Sequence, residues 1–451
     1  MARVPDVSPV ATGDGNPAGT RKKGVADGRQ QRSNDRPLPV LIFGADLTAL
    51  GVLRALSLNG VECYVADDTG DLITRSRWYR PAEKLISITS SSEELSRYLT
   101  SLELPGAVLI ACNDGWAPVV AGVSEELRKR FPVCAPPRAT VEKLTDKDLF
   151  GALVRRLEIP HPATMDISSV ADLDNLSDQQ LADGFLKPTN SVLHRRHFIT
   201  KGSFVRSREA ARQRVKEAAA LGIDFVFQEW IPGPYSRSIL IDGVIDRHGE
   251  IHALTSRRRV RQYPPRLGTT ASSVGIPLEE VAEAVDSVRR LLADISYRGF
   301  FNIEFKYDER DGHYKIIEFN PRPCYYTGTL ASGGVNLPWL AYHEAQELPL
   351  PKTGVYPVGR YALYEFGDGM EIVRSLRSLK VPEGKVVRTW LTGDRALFWW
   401  RDPMPTVGSL WSAFGRRVRR VRERSARARE TERAESPHTR IRQAAPPPPN
   451  P

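Results

Sequence analysis

At 451 residues, 41% of them hydrophobic, the chain is long enough for two or three domains and has the composition of an ordinary globular protein. Its formal charge of +10 would suggest a nucleic-acid partner, but residues 1–37 carry +3, 411–433 carry +6 and 434–451 carry +1, which leaves 38–410 neutral and indicates no basic folded face for DNA or RNA. No apolar run approaches the ~18 residues of a membrane span, no signal-peptide order is present, and the four cysteines show no CxxC spacing, so a cytoplasmic protein with reduced thiols and no zinc site is expected.

Residues 1–37 are rich in Gly, Pro, Ser, Asn, Asp and Arg and are expected to be disordered. Order begins with an apolar strand, Val40 to Phe43, a Gly turn, a helix to about Leu58 and a second strand, Val61 to Ala66, the opening of a doubly wound α/β layer. Asp67 and Asp68 follow as a ribose-binding acid would, yet Gly44 and Gly51 do not make the GxGxxG triplet a dinucleotide site needs. A later strand ends in Asn113-Asp114-Gly115, at the carboxyl end where open α/β sheets bind ligands; Asp114 reads equally as a substrate contact or as the cap of the next helix.

Thr145-Asp146 starts an amphipathic helix that runs to about Leu157 and places Lys147 in its first turn. Phe185-Leu186-Lys187-Pro188 is a short strand, and the stretch after it holds no glycine before Gly202 but carries Asn190, Ser191, His194, Arg195, Arg196 and Lys201. A helix over about 208–221 leads to a buried strand, Val226 to Trp230, closed by Pro232-Gly233. The next strand alternates Arg257, Arg259 and Arg261 on one face against Arg258 on the other, and Gly268-Thr269-Thr270 follows. A helix over about 278–295 then reaches the most informative stretch.

Phe300 to Pro323 reads as a β-hairpin in which Arg310-Asp311-Gly312 is a three-residue turn closed by Glu309 and His313. That register sets Glu304 opposite Glu318, with Lys306 and Asn320 on the same face and Arg322 at the strand's end. Two facing carboxylates repel without a cation, and a hard divalent ion suits two carboxylates and an amide oxygen. Arg322 is placed to hold a phosphate.

Glu-x-Lys followed by Glu-x-Asn-Pro-Arg resembles the metal-binding end of the ATP-grasp superfamily, and the resemblance extends over roughly Pro39 to Ala345. It implies an α/β chain, α+β in the nucleotide-binding part: a Rossmann-like domain at 38–138 and an ATP-grasp domain at 139–350; residue pattern and composition set apart a C-terminal subdomain at 351–410 and tails at 1–37 and 411–451. The resemblance implies ATP with two Mg2+ ions, replaceable by Mn2+, on Glu304, Glu318 and Asn320, and Arg322 at the transferred phosphate. Lys147 and Lys187 would hold ATP phosphates; Gln228, Glu229, Trp230 and Ile231 would line the adenine; Lys201 would lie in a glycine-poor lid. Asp114, Gly268 and Thr269 are then substrate contacts, with Arg257 and Arg261 on a substrate carboxylate or the developing oxyanion.

The order of elements and the sequence after Glu318 are similar to the carboxylate-amine ligases, D-aspartate ligases among them, so the expected activity is amide formation through an acyl phosphate, with ADP and phosphate as products. A carboxylase-type enzyme activating bicarbonate and a non-catalytic nucleotide-binding module are the alternatives. Past the domain, Trp411, Phe414, Val418 and Val421 form an apolar stripe within an Arg-rich run, which suits an anionic membrane, with a solvated helix or a contact with a second copy of the chain as the competing readings.

Overall fold

In a computed structural model, residues 37–67, 70, 72–189, 202–205, 207–378 and 386–411 are described. Expectations for the terminal tails, for Asp68 and for the lid with Lys201 fall outside them. Among the described residues, fourteen strands form three sheets.

The first sheet is parallel, in the order β3-β2-β1-β4, from β1 (Val40–Phe43), β2 (Cys63–Asp67), β3 (Pro81–Ile86) and β4 (Val108–Ala111). β1 is apolar throughout and completely buried because helices cover both faces of a parallel sheet. Asp46 accepts hydrogen bonds from the Thr48 and Ala49 amides and so starts the helix Leu47–Ser57 one turn after β1. Asp67, considered above for a ribose, accepts a hydrogen bond from the Trp116 indole at 2.7 Å.

A small antiparallel sheet follows in the order β5-β7-β6, from β5 (Thr164–Ile167), β6 (Gly184–Pro188) and β7 (Phe225–Glu229). The large sheet runs β12-β11-β8-β9-β10-β13-β14. Its members are β8 (Ser238–Ile245), β9 (Ile251–Tyr263), β10 (Thr269–Ile276), β11 (Gly299–Asp308), β12 (His313–Asn320), β13 (Tyr361–Leu363) and β14 (Asp394–Arg395). The helix Ala282–Asp294 packs Val285, Val288, Leu291 and Leu292 against Ile239, Ile241, Ile303 and Phe305 of this sheet.

The stretch 351–410, set apart in the sequence, gives its strands to the edge of the large sheet: β13 pairs with β10 and β14 with β13. It is also tied to the first layer, since the buried Asp402 carboxylate accepts from Arg54 Nε at 2.9 Å, Ser76 Oγ at 2.8 Å and the Arg77 amide at 2.8 Å. Among the described residues no helix is long and apolar enough to cross a membrane.

Candidate active site

The β11–β12 hairpin sets Glu304 directly opposite Glu318, as the sequence led us to expect but by a different route, and also sets Asn302 opposite Asn320. The strands close one residue earlier, Asp308 against His313, and one residue of β12, Ile317, bulges out between Ile316 and Glu318. The early closure has a cause in Asp308, whose buried carboxylate accepts from the Arg310 amide at 3.0 Å, Arg310 Nε at 2.8 Å and Lys315 Nζ at 2.7 Å. Gly312, at φ 80°, takes the left-handed position of the turn. The bulge then cancels the shifted turn and restores the facing carboxylates.

Each carboxylate meets a cation. Arg259 Nη2 lies 2.8 Å from Glu304 Oε2, and Lys147 Nζ lies 3.3 Å from Glu318 Oε1. Lys147 is the first residue of the helix Lys147–Arg156, placed there by Asp146, whose side chain accepts from the Asp148 and Leu149 amides.

A hydrogen-bonded relay crosses four adjacent strands behind them. Arg257 Nη2 donates to Asp242 Oδ2 at 2.7 Å, Asn302 Nδ2 donates to Asp242 Oδ1 at 2.7 Å, and Asn320 Nδ2 donates to Asn302 Oδ1 at 3.1 Å. The Asn320 oxygen in turn accepts from Arg322 Nη2 at 3.1 Å. The amide oxygen and the arginine at the end of the hairpin are thus oriented from the sheet interior.

Arg322 Nε also donates to Asp114 Oδ1 at 2.5 Å, which joins the first layer to the hairpin. Burial raises the Asp114 carboxyl, but the Arg322 charge and hydrogen bond, with the Lys147 charge, together outweigh it and hold the acid below its ordinary value. Burial likewise weakens the Arg322 charge, and Asp114, with Glu318 and Asp46, more than restores it. Asp114 does not cap the next helix, Trp116–Ala121, whose cap position is Gly115; it is the Asn113 side chain that accepts from the Gly115 and Trp116 amides at its start.

At the other side of the hairpin, Lys306 Nζ donates to the Ile231 carbonyl at 2.7 Å and lies 4.9 Å over the Trp230 ring. Burial, helped by the Arg259 charge, pulls the Lys306 ammonium down to about 8. Glu229 is engaged as well, accepting from the Ala163 amide at 3.1 Å and from Arg310 at 2.6 Å, while the Trp230 amide donates to the Asp183 carbonyl. Gln228 is buried in β7, and Lys187 lies in β6 opposite Val226.

The arginine assignments change. Arg257 and Arg261, expected to touch substrate, are 0% and 1% exposed, the first in the relay and the second paired with Asp368 of the helix Glu365–Arg377 at 2.7 Å. Their guanidiniums are already matched by buried carboxylates, so neither is placed to meet a ligand. Arg259, between them, reaches the facing pair. Arg258 points the other way, to Glu280, as alternation requires. Of the Gly268-Thr269-Thr270 segment, Thr269 is exposed and it is Thr270 whose hydroxyl accepts from Arg259 Nε at 2.8 Å. A Cβ on Gly268 would come 1.8 Å from the Pro264 carbonyl oxygen, so this residue serves backbone packing. The relay residues Asp242 and Asn302 were missed; the available signal was a lone acid in the otherwise apolar strand β8.

No known protein-family profile matches the chain. It is 27% identical over 247 residues to the D-aspartate ligase of Enterococcus faecium (strain Aus0004), across 51% of this chain and 56% of that protein, so it spans about half the length of this relative. Its structure resembles the L-amino acid ligase from Bacillus licheniformis, with a TM-score of 0.54 at 15% identity over 69% of this chain and 75% of that one. It also resembles the biotin carboxylase domain of the Hydrogenobacter thermophilus 2-oxoglutarate carboxylase, solved with MgADP and bicarbonate, with a TM-score of 0.55 at 15% identity over 72% of this chain and 74% of that one.

Proposed function

We propose that this chain, which has the ATP-grasp fold of these neighbours, is an ATP-dependent carboxylate-amine ligase. The observation that carries the reading is the facing pair Glu304 and Glu318, each held by a cation and flanked by the oriented Asn320 and Arg322. A nucleotide-binding module without chemistry would have no need of opposed carboxylates beside an arginine fixed by both Asp114 and Asn320.

Two carboxylates and an amide oxygen are the donors a hard divalent ion selects, so Glu304, Glu318 and Asn320 fit a pair of Mg2+ ions, or Mn2+ in their place. Such ions supply charge neutralisation of the ATP phosphates. The chain's own residues do the rest. Lys147 and Lys187 hold phosphate oxygens, and the segment Gln228 to Ile231, with Lys306 fixing the Ile231 carbonyl, receives the adenine. Arg322, held rigidly by Asp114 and Asn320, stabilises the γ-phosphoryl group in flight, and Arg259 takes the acceptor carboxylate in place of Arg257 and Arg261.

A carboxylate oxygen bonds to the γ-phosphorus while the bond to the bridging oxygen of ADP breaks. An amine then adds to the acyl carbon and phosphate leaves, the amine proton passing to phosphate or water. ADP and phosphate are the products. With an accepted acid and no amine, hydroxylamine should capture the acyl phosphate as a hydroxamate, and oxygen label in the carboxylate should appear in phosphate. Formation of AMP and pyrophosphate would overturn the reading. The likeness to the biotin carboxylase domain supports a second acceptor, bicarbonate; ADP release dependent on bicarbonate and indifferent to every amino acid would establish it instead.

A further inference from the structure

Arg257, Arg259 and Arg261 share β9, yet their surroundings differ in charge. Arg257 and Arg261 each end on a buried carboxylate, that of Asp242 and that of Asp368. The buried Arg259 guanidinium meets two neutral oxygens besides Glu304: its Nε donates to Thr270 Oγ1 at 2.8 Å and its Nη1 to Gln262 Oε1 at 2.5 Å. Gln262 and Thr270 are buried too, and lie opposite each other in the β9–β10 pairing.

Strict alternation would send Gln262 to the face opposite Arg259. The pairing, however, passes over Val260 on β9 and Ala271 on β10, and these two irregularities bring Gln262 round to the guanidinium. Its amide is oriented from the far side, because Nε2 donates to the Arg266 carbonyl and the oxygen is what remains to face Arg259. Arg266, at φ 66°, belongs to the connection between the two strands. Thr270 is held as well: its carbonyl accepts from the Tyr325 and Tyr326 hydroxyls.

The consequence is one of charge. A carboxylate at position 262 would complete a closed ion pair of the kind seen at Arg257 and Arg261, and the guanidinium would be neutralised within the protein. An amide holds the same geometry and leaves Glu304 as the exchangeable counter-ion. We propose that Gln262 is a positioning residue, which aims the Arg259 guanidinium into the site while leaving its charge to an incoming anion. That this anion is the acceptor carboxylate rests on the ligase reading.

The test uses Mn2+ as the probe, bound to the full chain without nucleotide and read by electron paramagnetic resonance. Gln262→Glu should draw Arg259 away from Glu304 and tighten Mn2+ binding by about tenfold, the scale of one screened charge. A carboxyl left there without the arginine takes up a proton, so Gln262→Glu combined with Arg259→Met should bind Mn2+ no more tightly than Arg259→Met alone. Affinity like the parent's in the single variant, or a double variant that shows both gains, would overturn the proposal. Gln262→Met, similar in size and uncharged, serves if the glutamate variant does not fold. It should raise the KM of the acid used in hydroxamate formation by about tenfold, the loss of one hydrogen bond to a charged group, and leave the KM of ATP unchanged. Equal rises in both constants, or none, would assign Gln262 to packing and overturn the proposal. A parent that forms no hydroxamate with any acid, while the Mn2+ affinities change as stated, would support the positioning role and overturn the ligase reading.

Discussion

Two ion pairs two residues apart on β9 are built for opposite purposes. Arg257 and Asp242 have side chains 0% and 1% exposed, and every oxygen of the acid is used, two contacts by the arginine and one by Asn302. Arg259 and Glu304 are 6% and 22% exposed, and the neighbouring Lys147 and Glu318 are 16% and 39%. In the first pair the counter-ion is permanent, because removing either partner strands a charge in the interior. In the second the carboxylate keeps an open side, so its counter-ion can be exchanged at little cost. The comparison separates what holds the site in shape from what the site offers to a ligand.

Breaking the closed pair should have the largest effect. Asp242→Ala leaves Arg257 buried without its partner and releases Asn302, and should cost about 3–5 kcal/mol in denaturant unfolding. A loss below 1 kcal/mol would mean that water enters and the pair is not closed. The open pair should behave in the reverse manner. Glu318→Gln should lower ADP formation by ~100-fold or more while leaving the unfolding transition close to that of the parent; near-normal turnover would remove Glu318 from the chemistry.

The comparison sharpens at Arg259. If it is an exchangeable counter-ion, it competes with divalent ions for Glu304, and Arg259→Met should tighten Mn2+ binding without nucleotide by about tenfold, the scale of one screened charge. The same variant should still lower turnover, because the acceptor loses its arginine. Unchanged Mn2+ affinity by electron paramagnetic resonance would show that Arg259 and the ion do not share the acid.

The sequence carried the local part of this arrangement. A capped helix start put Lys147 in place, and hairpin alternation put Glu304 opposite Glu318, although a turn closed one residue early and a bulge at Ile317 were needed together to reach that register. The opening strand, helix and second strand of the first layer were also readable, from apolar runs such as Val40 to Phe43. The choice among the arginines of β9 was not readable, because alternation gives a shared face and nothing more. Which of them reaches the facing carboxylates depends on acids 15 and 107 residues away, Asp242 and Asp368, brought in by β8 and by the helix Glu365–Arg377, which take up Arg257 and Arg261. That β13, within 351–410, pairs with β10 was not readable for a similar reason: it is a long-range fact with only three residues of strand to announce it.

Lys306 lies between the two kinds of pair, and its pH dependence gives the smallest effect. Burial lowers its ammonium from the usual 10.5 to about 8, the Arg259 charge adds to this, and Glu304 and Asp308 oppose it. Below about pH 8 the lysine is charged in both folded and unfolded chains, and the folded chain bears the cost of an ammonium with few waters. Between about pH 8 and 10.5 the folded chain has released its proton and the unfolded chain has not, so the unfolded state binds more protons and stability rises with pH. The gain should be at most about 1 kcal/mol once solvent screening of this partly open group is allowed for. Other groups titrate in the same window, so the measurement is the difference in denaturation midpoint between parent and Lys306→Met, followed from pH 7 to 10. That difference should drift in the parent's favour as pH rises. A flat difference would place Lys306 among the open, solvated cations, and a drift in the opposite direction would mean that the Ile231 and Gly233 carbonyls hold the ammonium more firmly than burial weakens it.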